Sequence, residues 1–289
     1  MRLKKGLVIS AIALASALVL SGCTDSGATS SDAPVADAPE FEAGTTMARL
    51  ADAGTIKIGT KFDQPLFGLM SPSGTPEGFD IEMGKLVAAK LGIAADKIEW
   101  SEAVSANREP FIQNGTVDLV IATYTINDTR KEVVSFAGPY YTAGQDLLVL
   151  AGNPDNITGP EDLTDKPVCT VSGSTSEKNI QAYTTNVIAA DTYSACLEPL
   201  RSGAVVAVTT DNVILAGLAD QNAGEFEVLD NPFTEEPYGI GLAKDDTEFR
   251  NFINDTLEEA YDDGSWATAW ENTAGSVLET PEPPAVVRY

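Results

Sequence analysis

Short apolar runs alternate with stretches in which apolar residues recur every three or four positions. Thr55-Ile56-Lys57-Ile58-Gly59 has the alternation of a strand. After the turn Pro76-Glu77-Gly78, Asp80 is placed to cap a helix whose apolar face is Met83, Leu86, Val87 and Leu91. A short helix is expected from Glu109 to Asn114, ended by Gly115, and Val117-Asp118-Leu119-Val120-Ile121 reads as the next strand. This strand–helix–strand order predicts a parallel sheet covered by helices. The rhythm restarts after Gly138-Pro139-Tyr140-Tyr141, with strands expected at 147–150, 167–171 and 204–208 and a helix over about 176–184. Tyr238-Gly239-Ile240-Gly241-Leu242 then leads to a helix with Phe249, Phe252, Ile253, Leu257 and Tyr261 on one face, opened by Asp246 and closed by Gly264. The pattern is that of an α/β protein with two lobes.

Polar clusters stand where several of these strands end: Lys61, Thr123 to Arg130, Ser172 to Thr175, and Thr209 to Asp211. Open parallel sheets bind ligands at that edge. In the run Ala122-Thr123-Tyr124-Thr125-Ile126-Asn127-Asp128-Thr129-Arg130, hydroxyls are followed within a turn by a guanidinium. A planar guanidinium can meet a carboxylate through two parallel hydrogen bonds, which makes Arg130 a candidate anion receiver. A helix starting near Ser176 would point its free amides and partial positive charge at the same anion. Each cluster also has a purely structural reading, as a helix cap, a turn or a solvated side chain.

The N-terminus carries different chemistry. Arg2, Lys4 and Lys5 precede an apolar run from Leu7 to Leu20, and Leu20-Ser21-Gly22-Cys23 closes it. Residues 1–22 read as a secretory signal, too short for a stable membrane span. The Leu-Ser-Gly-Cys ending resembles the bacterial lipobox, which implies that Cys23 is lipidated and anchors the protein to the outer face of the cytoplasmic membrane. Residues 23–46, rich in Ser, Thr, Ala, Asp and Pro with Phe41 as their one aromatic, read as a disordered tether.

Composition then removes whole classes of function. With 43 acidic and 18 basic residues, the formal net charge of −25 argues against nucleic acid as a partner. The chain has no histidine, which excludes Ser-His-Asp and Cys-His machinery and His-containing zinc sites. Acidic clusters such as Asp262-Asp263-Gly264 lack the ligand spacing of a calcium loop, so neither metal nor cofactor is expected. Apart from Cys23, only Cys169 and Cys196 remain, and in an exported protein they are expected to form a disulfide, the alternative being two separate buried thiols.

Between about Met47 and Trp270 the chain resembles the bacterial extracellular solute-binding proteins for polar amino acids, the ligand receptors of ABC importers. The matching stretches are Glu77-Gly78-Phe79-Asp80-Ile81-Glu82, Val117-Asp118-Leu119 through Thr125 to Arg130, Phe136-Ala137-Gly138-Pro139-Tyr140-Tyr141, Val171-Ser172-Gly173-Ser174-Thr175 and Thr209-Thr210-Asp211. Within that family it resembles the actinobacterial glutamate receptors. The resemblance implies a type II periplasmic-binding fold: two Rossmann-like lobes joined by a two-strand hinge. Lobe one would comprise 47–140 plus 239–270 and lobe two 145–234. The hinges would be 141–144 and 235–238, and 271–289 would be an extension that packs on lobe one or stays disordered.

The resemblance also implies roles. Arg130 would clamp the ligand α-carboxylate, with Thr125 and the Ser174 and Thr175 amides as further donors. Asp211 would pair with the α-ammonium, helped by the Thr123 carbonyl and the Thr125 hydroxyl; its alternative is a cap on the following helix. Lys61 matches the position that reads the ligand side chain in glutamine receptors, where a lysine would favour a distal carboxylate. Arg108 is a second candidate for that carboxylate, and a solvent-exposed Lys61 is the plain alternative. Tyr124 and Tyr238 would wall the pocket or belong to the core. The expected protein is a monomeric, lipid-anchored, non-catalytic receptor for an acidic amino acid, glutamate favoured, which a membrane permease would recognise once the cleft closes. Glutamine or another polar amino acid is the alternative ligand. A dehydratase on the same fold is the alternative of another class, disfavoured because the inferred cleft offers one carboxylate, Asp211, whose pKa an ammonium would lower.

Overall fold

The computed structural model describes residues 34–37 and 39–289. The signal segment 1–22, Cys23 and the first part of 23–46 lie outside the described residues. In chain order the first elements are α1 (Thr46–Ala53), β1 (Ile56–Thr60), β2 (Asp63–Gln64), β3 (Gly68–Met70), β4 (Pro76–Glu77), α2 (Phe79–Lys90), β5 (Ile98–Glu102), α3 (Arg108–Gln113), β6 (Leu119–Val120), α4 (Asp128–Lys131) and the long β7 (Ser135–Ala143). Next come β8 (Gln145–Leu150), β9 (Val168–Val171), α5 (Thr175–Ile180), β10 (Val187–Ala190), α6 (Leu197–Arg201), β11 (Ala207–Asp211), α7 (Asn212–Gln221) and β12 (Phe226–Val228). The chain returns through β13 (Glu236–Leu242) and continues in α8 (Thr247–Asp263) and α9 (Ser265–Glu271).

These strands form two sheets of the same design. Lobe one holds β5-β1-β6-β13-β7, with β1 parallel to β5 and β6, and β13 antiparallel to β6 and β7. Lobe two holds β10-β9-β11-β8-β12, with β9 parallel to β10 and β11, and β8 antiparallel to β11 and β12. The parallel strands are apolar on both faces, as in Val168-Cys169-Thr170-Val171, because helices cover both sides. Gly144 alone separates β7 from β8, and β7 and β13 pair from Ser135–Leu242 to Ala143–Glu236. Residues 141–143 and 236–238 therefore lie in an antiparallel ribbon rather than in loops. Glycine is required where β13 passes the site, because a Cβ at Gly241 would stand 2.8 Å from the Tyr124 ring.

Helix α8 buries Phe249, Ile253 and Leu257 as expected, with Asp246 accepting the Phe249 N–H and Gly264 closing it in the left-handed region. Trp266 and Trp270 of α9 meet Phe79 edge-on, and Trp270 stacks on Tyr141, in the aromatic centre of lobe one. Cys169 and Cys196 are joined in a disulfide within lobe two.

Several local expectations are corrected. Asp80 does not cap α2, since Gly78 holds the cap position and the Asp80 carboxylate turns inward to the Thr123 N–H and the Tyr140 hydroxyl. Helix α5 stops at Ile180, and the strand expected at 204–208 runs instead over Ala207–Asp211, because its pairing with β8 continues to Asp211–Gln145. The later part of the expected tether is also docked on lobe one. The Ala36 N–H reaches the Ala89 carbonyl at 2.9 Å, and the Phe41 ring meets Phe252 edge-on at 5.5 Å. The extension packs on lobe one as well: the Val287 N–H bonds the Gly138 carbonyl at 2.9 Å, and the Tyr289 hydroxyl accepts the Phe136 N–H at 2.9 Å.

Candidate functional site

Three cations converge from lobe one. Lys61 follows β1 directly and is only 3 % exposed, with Nζ donating to Ser105 Oγ at 2.9 Å. Burial and the neighbouring Arg108 push its pKa down to about 7, against the opposing pull of Asp63. Arg108 opens α3 and is also buried; its Nη1 donates to the Ala122 carbonyl at 3.1 Å, and its guanidinium lies 4.3 Å over the Tyr124 ring. Arg130 sits on α4, a turn fixed by Asn127 accepting the Arg130 N–H. Its Nη1 donates to the Thr125 carbonyl at 2.6 Å, its Nε pairs with Glu109 at 3.1 Å, and its guanidinium also lies over the Tyr124 ring, at 4.9 Å. Burial and Arg108 lower the Arg130 pKa to about 10, which leaves it charged at neutral pH.

Thr123 links these groups. It is a β-branched residue at φ 44°, in the left-handed region that L side chains avoid. Its N–H is held by Asp80 at 2.8 Å, its hydroxyl by Gln64 at 2.9 Å, and its carbonyl by Arg108 at 3.4 Å. Strain of this kind persists only where the surroundings over-determine it, and it clusters at functional sites.

Lobe two faces these cations with a carboxylate. Asp211 holds the cap position of α7 yet makes no cap hydrogen bond. Its Oδ2 accepts the Tyr238 hydroxyl at 2.6 Å, while its buried Oδ1 has no hydrogen-bond partner. Burial and Glu236 raise its pKa to about 7, with Arg108 and Arg130 acting in the opposite direction. An unpaired buried carboxylate oxygen costs several kcal/mol unless a cation or donor meets it. Ser174 caps α5, accepting the Glu177 N–H and donating to the Val171 carbonyl, so its hydroxyl is committed and only backbone amides remain for an anion. Lobe one reaches directly to this turn, as Arg130 Nη2 lies 3.4 Å from the Gly173 carbonyl.

The structure brings Lys61, Arg108, Thr123, Tyr124, Arg130, Asp211 and Tyr238 close together, with amendments to the expected roles. Lys61 is not a solvated lysine, and Asp211 is not a side-chain cap. Tyr124 and Tyr238 are both fully buried, Tyr124 with its ring in contact with two guanidinium groups and Tyr238 as the hydroxyl donor to Asp211. Thr209, grouped with the strand-end polars, lies inside β11 and bonds the Asp146 carbonyl. The premise that Asp211 is the single cleft carboxylate does not hold, because Glu236 acts on it and on Arg130. Without a ligand ammonium beside it, burial holds the Asp211 pKa above the usual carboxylate range. Sequence reasoning passed over Ser105, Glu109, Gln64, Glu236 and Tyr193. Glu109 adjoins Arg108 in the chain, and an acid beside a candidate cation was a usable signal; the others carry none.

Two α/β lobes joined by a paired ribbon, with the polar ends of their parallel strands facing each other, define a two-lobed receptor of the type II binding fold. The chain belongs to the bacterial extracellular solute-binding proteins, family 3, whose model matches residues 56–272. It is 41% identical over 266 residues to the glutamate-binding protein GluB of Corynebacterium efficiens, covering 88% of this chain and 87% of that protein. It is 38% identical to the glutamine-binding protein of Geobacillus stearothermophilus, over 86% of this chain and 96% of the relative. Among solved structures, an ancestral arginine-binding protein bound to glutamine superposes with a TM-score of 0.71 at 36% identity, over 76% of this chain and 97% of that one.

Proposed function

We propose that this protein is the solute receptor of an ABC amino-acid importer and that it captures an acidic amino acid, glutamate first. The observation that carries this reading is a balance of charges. Lys61, Arg108 and Arg130 are buried in lobe one, and Asp211 of lobe two keeps one oxygen without a partner. A dicarboxylic amino acid brings two carboxylates and one ammonium. Arg130 takes the α-carboxylate through its fork, with Thr125 and the Ser174 and Thr175 amides as further donors. Asp211 takes the α-ammonium, assisted by the Thr123 carbonyl. Lys61 or Arg108 takes the distal carboxylate, and Tyr124 and Tyr238 orient these groups from behind. The names of the relatives, glutamate- and glutamine-binding, support the same ligand class. Contacts from both lobes stabilise a closed form, with 141–144 and 235–238 as the bending segments, and the membrane permease reads that form. Cys23 carries the lipid that keeps the monomer at the outer membrane face, so Cys23→Ser would release the protein into the medium. No covalent chemistry is assigned to the cleft.

Thermal-shift screening of the full chain against the twenty amino acids tests the ligand. A ligand at a hundred times its dissociation constant adds about 2.7 kcal/mol of stability. Glutamate should give the largest shift, followed by aspartate. A largest shift with arginine, or none with any amino acid, would overturn the assignment.

A further inference from the structure

We infer that Asp63 is an interlobe latch that holds the closed form independently of the ligand side chain. The inference rests on the receptor reading above. Asp63 stands in β2, a half-buried hairpin strand just beyond Lys61, and it is not part of the amino-acid site assigned there. Its Oδ2 accepts two consecutive backbone N–H groups from lobe two, Tyr193 at 3.0 Å and Ser194 at 3.3 Å. Paired successive amides form a small anion-binding concavity, and a hydrogen bond to a charged acceptor is about twice as strong as a neutral one.

The seat of this latch is built rigidly. The turn that supplies the two amides leads into Cys196, which is bonded to Cys169 on β9. The Tyr193 side chain is 4 % exposed and lies beside Ser174, Thr210 and Ser176. The amides are therefore fixed to the same strand ends that supply Ser174 and Asp211. Apart from Arg130, whose Nη2 lies 3.4 Å from the Gly173 carbonyl within the amino-acid site, the neighbouring cross-lobe contacts are close backbone approaches. A Cβ at Gly217 would stand 2.5 Å from the Pro65 carbonyl oxygen, and one at Gly173 would stand 3.0 Å from Ala106. They set how closely the lobes meet, whereas Asp63 supplies an attraction that exists only when they do. A contact made in one state alone shifts the equilibrium by its own free energy.

The test is the dissociation rate of glutamate and of glutamine from the full chain by stopped flow, with the closed fraction read by small-angle scattering at saturating ligand. Asp63→Ala should speed dissociation of both amino acids by a similar factor, about tenfold. Association should be unchanged and the closed fraction should fall. Asp63→Asn, whose oxygen still accepts but carries no charge, should lie between. Unchanged dissociation and closure in Asp63→Ala would overturn the latch. Loss of glutamate alone would also overturn it, by assigning Asp63 to the support of the Lys61 charge. If the wild-type protein binds neither amino acid, the receptor reading itself fails, and that outcome is distinct from both.

Discussion

Arg130, on α4, and Lys61, at the end of β1, are both buried cations of lobe one, and they are held in opposite ways. Arg130 has an ion pair with Glu109, a carbonyl from Thr125 and the face of Tyr124. Among the described residues, Lys61 donates only to the Ser105 hydroxyl, and burial and Arg108 outweigh the attraction of Asp63 and Asp80. The braced guanidinium stays charged at any physiological pH, whereas the lysine is poised at about 7. The difference fits two tasks. Every amino acid presents an α-carboxylate, and a permanently charged, pre-oriented fork can receive it whatever the side chain. A distal carboxylate distinguishes one amino acid from another, and a cation with few other partners gains most from meeting one.

If that contrast is right, Arg130→Ala should have the largest effect. Removing one partner of a buried charge contact costs about 3–5 kcal/mol, or 10²–10³-fold or more in affinity. Calorimetry should show glutamate and glutamine losing affinity together. Retained wild-type affinity would take the α-carboxylate away from Arg130. Asp211→Asn should come next, weakening both ligands about a hundredfold while stabilising the fold. Its carboxyl is raised to about 7, so the native state pays for ionising it as pH rises from the unfolded value near 4 through 7. The Asn variant should gain about 1–3 kcal/mol at pH 8 and less at pH 5, measured by urea unfolding. A loss of stability at pH 8 would show that Asp211 is a structural group.

The same contrast marks how far the sequence could be read. The strand–helix rhythm announced two lobes because hydrophobic periodicity is a local property, and strand ends followed from it. Arg130 and Asp211 were legible because their residue types are unusual at such ends. The burial of Lys61 was not legible, since its cover comes from Ser105 and Arg108, more than forty positions away. The left-handed Thr123 was invisible for a similar reason: Asp80 and Gln64 impose it from remote parts of the chain. Phe41 and Tyr289 sit in polar, proline-bearing segments whose composition suggests disorder, and each finds a partner that no local pattern names.

Lys61→Met sharpens the comparison at a smaller scale. Glutamate should lose about tenfold or more in affinity while glutamine changes little. In the wild-type protein, the lysine loses its proton as pH rises through about 7, so its attraction for a distal carboxylate fades above that point. Asp211 gains its charge over the same range and strengthens the ammonium contact for both ligands. The ratio of glutamate to glutamine affinity should therefore fall above pH 7 by up to about tenfold per pH unit, and this slope should vanish in Lys61→Met. A ratio that holds steady from pH 6 to 9 would pass the distal carboxylate to Arg108.

The smallest effect is expected where lobe one is braced from outside the cleft. The Tyr289 ring lies 4.1 Å from the Arg250 guanidinium and 4.6 Å from Lys131, the neighbour of Arg130 on α4. Arg250 also donates to the Tyr289 carbonyl, and Arg288 pairs with Asp255 and Glu258 on the surface of α8. Exposed ion pairs contribute little, so most of the stabilisation comes from covering Arg250 and from the two backbone hydrogen bonds to β7. A chain ending at Ala285 should lose about 1–2 kcal/mol in urea unfolding. Its glutamate affinity should stay within about twofold, because Arg130 keeps Glu109, Thr125 and Tyr124 without the extension. A large fall in affinity at unchanged stability would mean that the brace on Arg130 extends through Lys131 to the end of the fold, and that its orientation is set from outside the cleft as well as from within.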